Sequence, residues 1–333
     1  PPTGFSALQQ DNLPETASGV SGLVWIKSRD TASAHMLFDS SRGPQLRIKP
    51  DSTSSETTSE GTVSKFLKGG YAVGDQTAVN KSGDSVVGWN WVANAGTTAS
   101  NTNGSITSTV QVNQTAGFSI VKWTSTGSNA TVGHGLSTAP SFILGKVLTR
   151  TDNWIVGHHK QSSTPWNNAT FLSVSDSQYT SAAYWNNTAP TSTVFTTGTW
   201  WYSSENYIAY CWHEVDGFSK FGKYTGNGSA DGPFVYTGFR PAWIMIKNAG
   251  ATASWFILDA ARNTFNPVEN WLVADDPQAE VVTSGDRKID FLSNGFKIRA
   301  TTTDFNGSSG NMIYMAFAEH PFVGNGTSPV TAR

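Results

Sequence analysis

Short apolar runs separated by turn residues, and no sustained helical stripe, organise this chain. Ile106, Ser108, Val110 and Val112 lie two apart, with Thr107, Thr109 and Gln111 between them. Residues two apart share one face of a strand. Asn113-Gln114-Thr115-Ala116-Gly117 then leads into Phe118-Ser119-Ile120-Val121, which predicts a hairpin. Other short runs rich in Val, Ile, Trp, Tyr and Thr fit half-buried pleated strands. Asn103-Gly104, Asn227-Gly228, Asn294-Gly295, Asn306-Gly307 and Asn325-Gly326 punctuate them and predict turns with φ > 0. The best helix candidate, around 266–273, is one or two turns long.

The pattern repeats. Gly117-Phe118-Ser119 returns as Gly217-Phe218-Ser219, and Lys122-Trp123-Thr124 returns as Lys223-Tyr224-Thr225. Each copy then reaches Pro-x-aromatic-Ile, at Pro140–Ile143 and Pro241–Ile244. Lys146 is followed by Trp154 and His158 at plus eight and twelve. Lys247 is followed by Trp255, Asp259 and Arg262 at plus eight, twelve and fifteen, and Lys27 by His35, Asp39 and Arg42 at the same offsets. Aromatic-rich runs close the copies at 86–91, 207–212 and 312–317. Phe66-Leu67-x-x-Gly70-Tyr71 matches Phe291-Leu292-x-x-Gly295-Phe296, with no clear copy in the second unit. The expectation is an all-β fold of two to three tandem antiparallel β-sandwich (jelly-roll-like) units. Its parts are an arm or link at 1–18, a first unit at 19–94, a linker at 95–104, units at 105–216 and 217–323, and a loose tail at 324–333.

Composition narrows the function classes. Of the 333 residues 38% are hydrophobic, enough for a core, but only 14% are charged, so Ser, Thr, Asn and Gly must cover the surface. A net charge of −2 gives no electrostatic footprint for nucleic acid and no polybasic signal for a membrane surface. Cys211 alone supports no intramolecular disulfide and no multi-cysteine metal site. Pro1-Pro2-Thr3-Gly4-Phe5 carries neither a charged n-region nor an apolar h-region, so no signal peptide is expected there.

A residue type that recurs at one offset in every copy belongs to the shared fold, and a cluster peculiar to one copy is the better functional suspect. Asp39…Arg42 and Asp259…Arg262 therefore read as structural ion pairs. Glu214 and Glu319 occupy matching places after the closing run; pairing one with Asp259 would suit a glycosidase if the carboxyls lay about 5–9 Å apart. No metal, no cofactor and no catalytic residue is expected. The second unit is different: two Trp-Asn-Asn copies and a Trp-Trp-Tyr run give the ligand-binding candidates Trp166, Asn167, Tyr184, Trp185, Asn186, Trp200, Trp201 and Tyr202. Rings beside amides suit a sugar, which needs a platform for its C–H face and forked hydrogen bonds for its hydroxyls. The competing role for the same rings is to fill the core. Alternation along a strand would turn one of Trp200 and Trp201 away from that core.

Several runs in order, Gly217–Ser229, Thr237–Ala242, Asp290–Lys297 and Ile313–Glu319, resemble a family of phage-encoded virion proteins, of tail-fibre type, seen mostly in phages of marine bacteria. The resemblance spans nearly the whole chain and transfers no catalytic or binding residues. It implies a structural or host-contacting part of the virion; together with the low charge and the Trp/Asn cluster, the expectation is a non-enzymatic protein of tail-fibre or surface-appendage type that meets the host surface and its glycans. Expected partners are other virion proteins and further copies of this chain, a homo-oligomer with a trimer favoured, without nucleic acid or membrane. The alternatives are a purely architectural virion component and, behind it, a glycan depolymerase.

Overall fold

The computed structural model describes residues 8–10, 22–67, 70–93, 98–282 and 285–319. The described chain is all-β, its only α-helices being the single turns Thr77–Asn80, Ala182–Trp185 and Thr303–Asn306.

Three strands carry the repeated lysines: Gly22–Ser28, Phe142–Val147 and Pro241–Asn248. Each lies between a flanking and a closing strand, Met36–Asp39 and Val86–Val92 for the first. Ile155–His158 and Asn206–Trp212 serve the second, Phe256–Asp259 and Asn311–Ala318 the third. The registers agree: Lys27, Lys146 and Lys247 stand opposite Val87, Ile208 and Ile313. Leu23, Phe142 and Trp243 stand opposite Asp39, His158 and Asp259. Leading strands Phe118–Thr124 and Ser219–Thr225 join the closing strands of the second and third sets. There Lys122-Trp123-Thr124 and Lys223-Tyr224-Thr225 are in register, but Phe118 matches Ser219 rather than Phe218. An extra residue after Gly217, taken up in the Val215–Ser219 bridge, shifts the Gly-Phe-Ser match by one.

A smaller sheet covers one face of each set. In the third it comprises Phe234–Tyr236, Gly295–Ile298 and Ile289–Leu292, and Phe291, Phe296 and Ile298 meet Ile244, Leu258 and Tyr314 between the layers. In the first it includes Val63–Leu67 and Gly70–Val73, and Val63, Tyr71 and Val73 meet Val24, Ile26 and Phe38. These hairpins also agree in register, Phe66 opposite Tyr71 as Phe291 is opposite Phe296. In the second the cover is Ala130–Gly133 with Val194–Thr197. The opposite face of all three sets is buried as well. Leu23, Trp25, Phe142, Leu144, Trp243 and Met245 belong to one shared central core.

Hydrogen bonds around that core run in a ring. The carbonyl two residues past each lysine accepts a backbone N–H from a neighbouring set: Arg29 from Glu280, Leu148 from Glu56 and Ala249 from Gln178, at 2.7, 2.9 and 2.8 Å. At plus eight, the ring nitrogens of His35, Trp154 and Trp255 reach the carbonyls of Val273, Lys49 and Phe171. The plus-twelve side chains continue it. Asp39 accepts from the Tyr210 hydroxyl, Asp259 from the Trp89 indole, and the His158 ring contacts the Tyr314 carbonyl. The lysines are fully buried, and their Nζ groups donate to backbone carbonyls. Burial pulls each pKa down to about 8.

Three expectations change. Ala99–Asn101, expected in a linker, is an edge strand paired with Ser108–Asn113. The 266–273 segment is not helical: Asn266-Pro267 is cis, Val268 bridges Ile289, and Leu272–Val273 is a strand. Of the Asn-Gly pairs within the described residues, only Asn227-Gly228 uses a positive φ, of 70°. Gly295 instead sits in a strand, where a Cβ would strike the Val235 carbonyl. Within the expected 1–18 arm, Leu8–Gln10 pairs with Gly70–Val73, while 94–97 and 320–333 lie outside the described residues.

Three buried histidines set the acid limit of stability. His35, His134 and His158 each accept a hydrogen bond at Nδ1 (from the Trp25 indole, Leu136 N–H and Lys160 N–H) and place Nε2 against a carbonyl, the arrangement of a neutral ring. Burial lowers their pKa values to about 3, 4 and 3. Unfolded, each ring titrates near ~6.5 and binds a proton that the folded ring refuses, so stability is lost as pH falls from there. The melting temperature should therefore drop steadily between about pH 6.5 and pH 4 in scanning calorimetry. A flat profile over that window would contradict the neutral, buried rings.

Candidate functional site

The second unit departs from the other two at two places in its main sheet. Register puts Gly145 where the others have Ile26 and Ile246, and Gly157 where they have Phe38 and Leu258. Both glycines face that unit's own core, and tryptophans occupy the vacated volume. A Cβ on Gly145 would lie 2.7 Å from the Trp201 ring, and one on Gly157 2.5 Å from Trp166 and 2.9 Å from Trp185. Close packing explains the exchange, since an interior without voids must match lost side-chain volume nearby.

This places the eight candidates. Trp185 and Trp201 are fully buried and Trp166 nearly so. These three present no face to a sugar, and their assignment to a binding platform is corrected to core. The Trp-Asn-Asn copies meet inside, the Trp166 and Trp185 rings edge to face at 5.6 Å. Asn167 ends a 3-10 turn, and Asn186 caps the Ala182–Trp185 turn in the left-handed region, its side chain accepting from the Asn129 amide. Neither asparagine therefore lies beside an exposed platform of its own copy. Trp200 and Trp201 lie in a turn after Val194–Thr197 rather than in a strand, so strand alternation does not apply, and their rings meet edge to face at 5.6 Å. Trp201 goes inward and donates its indole N–H to the Tyr184 carbonyl at 2.7 Å, while Trp200 stays half-buried.

Tyr184, Trp200 and Tyr202 do come together at the surface. The Trp200 ring lies 6.1 Å from Tyr184 and 6.2 Å from Tyr202. Phe171 underlies the row and links it to Tyr179, which is 42% exposed. Arg150 stacks over Tyr202, 3.9 Å from ring centre, adding a cation with five hydrogen-bond donors. Asp152 accepts a hydrogen bond from the Tyr202 hydroxyl, and burial, the larger effect, joins it in raising that phenol's pKa. Sequence reasoning missed Arg150. No local pattern marks it, because the fold alone brings the segment after the lysine strand up to Tyr202.

The carboxylates are committed elsewhere. Asp39 and Asp259 are buried against Arg42 and Arg262 at 2.5 and 2.6 Å, as the repeat argument expected. Glu214 accepts from Lys220 and from the Phe221 N–H, and Glu319 pairs with Arg240. Among the described residues no group of three or more His, Cys, Asp and Glu side chains is placed to hold a metal ion.

The molecule is thus an all-β protein whose sheets share one core and whose second unit carries a row of half-exposed rings. The family described as Domain of unknown function (DUF7483) matches residues 10–321, and the chain belongs to it. No curated protein and no solved structure matches the chain.

Truncation should separate core from surface. Trp201→Ala should cost about 3–5 kcal/mol and Gly145→Ala about 1–3 kcal/mol through the clash with the Trp201 ring. Trp200→Ala should cost no more than about 2 kcal/mol, the value of a half-exposed ring. Urea denaturation followed by tryptophan fluorescence measures all three, and equal losses at 200 and 201 would contradict the assignment.

Proposed function

We propose that this chain is a virion structural protein of tail-fibre or surface-appendage type that contacts the host cell surface and binds its glycans without cleaving them. The observation that carries the glycan part is the row of Tyr179, Tyr184, Trp200 and Tyr202, with Arg150 stacked over Tyr202. Aromatic faces and a forked cation beside hydroxyls suit the apolar and polar sides of a sugar ring. The virion assignment rests on the ordered runs that resemble phage structural proteins, and a surface low in charge is compatible with it. Other virion proteins and further copies of this chain remain the proposed partners, with a homotrimer favoured. Contacts between copies would use outer surfaces, because the inner sheet faces are already buried in the shared core.

Magnitudes favour multivalency. A ring half-covered by sugar loses about 80 Å² of apolar area, worth about 2 kcal/mol. Association itself costs at least about 4 kcal/mol. One site would bind weakly, and an array of sites on a particle would make the contact useful.

On a glycan array probed with the chain displayed on beads, Trp200→Ala and Tyr202→Ala should each lose about tenfold or more of the signal, as removal of a platform worth roughly 1.4 kcal/mol or more requires. Unchanged binding would leave the architectural reading in its place. Host polysaccharide incubated with the protein should keep its size distribution by gel filtration; shortening would instead favour the depolymerase.

A further inference from the structure

The leading strands of the second and third units differ at their outer edges. Phe118–Thr124 is covered on that side by Ser108–Asn113, completing the sheet. Among the described residues Ser219–Thr225 has no covering strand and forms the edge of its sheet. Two side chains of the second unit block part of this edge: Glu214 accepts the Phe221 N–H, and the His159 ring contacts the Phe221 carbonyl at 2.6 Å. Alternation along an antiparallel strand turns the Lys223 N–H and carbonyl to the same side as those of Phe221.

Beyond the blocked position the second and third units leave a groove of about 560 Å³. Lys160, Lys220 and Lys223 line it against a single carboxylate, Glu214, which already pairs with Lys220. On its far wall Phe234 and Tyr236, two apart on an edge strand, are 46% and 65% exposed. They share one face, as residues i and i+2 must. Gly222 leaves room for the Tyr314 hydroxyl, which a Cβ there would strike.

We propose that this groove binds an anionic saccharide, a short stretch of a uronic-acid-containing glycan. Its sugar faces would lie on Phe234 and Tyr236, its carboxylates would meet Lys160 and Lys223, and its hydroxyls would bond the open edge at Lys223. A β-strand from a partner is the other occupant that an open edge invites. The capture of Phe221 by Glu214 and His159 leaves too few free edge groups for such a ladder, and exposed lysines are a common guard against it. The site is separate from the Trp200 row, so either assignment can fail without the other.

Tetragalacturonate and neutral cellotetraose, titrated calorimetrically into the whole chain, test this. The acidic tetrasaccharide should bind about tenfold tighter or more, and added salt should weaken it. Lys223→Ala and Tyr236→Ala, both exposed and expected to melt like the wild type, should each weaken it by about threefold or more, while Trp200→Ala leaves it unchanged. Equal affinity for the two sugars, no binding at millimolar concentration, or wild-type binding by both groove variants would overturn the proposal. Displacement of the sugar by equimolar inorganic phosphate would reduce the site to an ion site, and preferential binding of a neutral extended peptide would assign the edge to strand addition; either result overturns it.

Discussion

The structure depends on three sheets burying both faces at once. One face of each lies under its own cover and the other joins a single central core. An antiparallel sheet usually solvates one face, and its strands then alternate apolar and polar residues. Here the lysine strands are buried at every position but Ala242, so polar groups that cannot reach water must find partners within the protein. The ring of bonds between sets provides those partners. Lys146 donates to Thr53 in the first set and Lys247 to Ser175 in the second. Such bonds lock register and orientation, because breaking one partner away leaves a buried polar group unpaired.

The buried carboxylates Asp39 and Asp259 are each neutralised on the spot by an arginine, while the buried lysines are held by backbone carbonyls. The Asp39–Arg42 and Asp259–Arg262 pairs each receive a further hydrogen bond from a neighbouring set, through Tyr210 and Trp89. Glu280 binds both Arg29 and Arg262, tying the first set to the third. The second set replaces the acid with His158, whose neutral ring does the same joining work through a carbonyl. One geometry is therefore met by two chemistries.

Differences among the sets create the surfaces proposed for binding. Glycines in the second sheet let tryptophans move inside, and the next rings along the chain, Tyr184, Trp200 and Tyr202, are held half-exposed above them. Among the described residues the third set has no strand covering its leading strand, which leaves an edge beside the second. Both features follow from local departures within a shared frame, which is why neither disturbs the central core.

Much of this was legible in the sequence. The three lysines, the residues eight and twelve beyond them, and the Phe-Leu-x-x-Gly hairpins fall where their spacing put them, because strand register converts sequence offset directly into position. Strand character followed from alternation and turn residues. What spacing could not supply was depth. Trp185, Trp200 and Trp201 are chemically alike, and only the volume freed by Gly145 and Gly157 decides which go inside. Nor could it join Arg150 to Tyr202, or set Glu214 and His159 against the Phe221 backbone. These are contacts between segments far apart in the chain, and the packing of three sheets about one core decides them. Sequence determined the pleated character and the matching positions along the repeats; tertiary structure decided the sheet order, which aromatic rings stay exposed and which edge stays uncovered among the described residues.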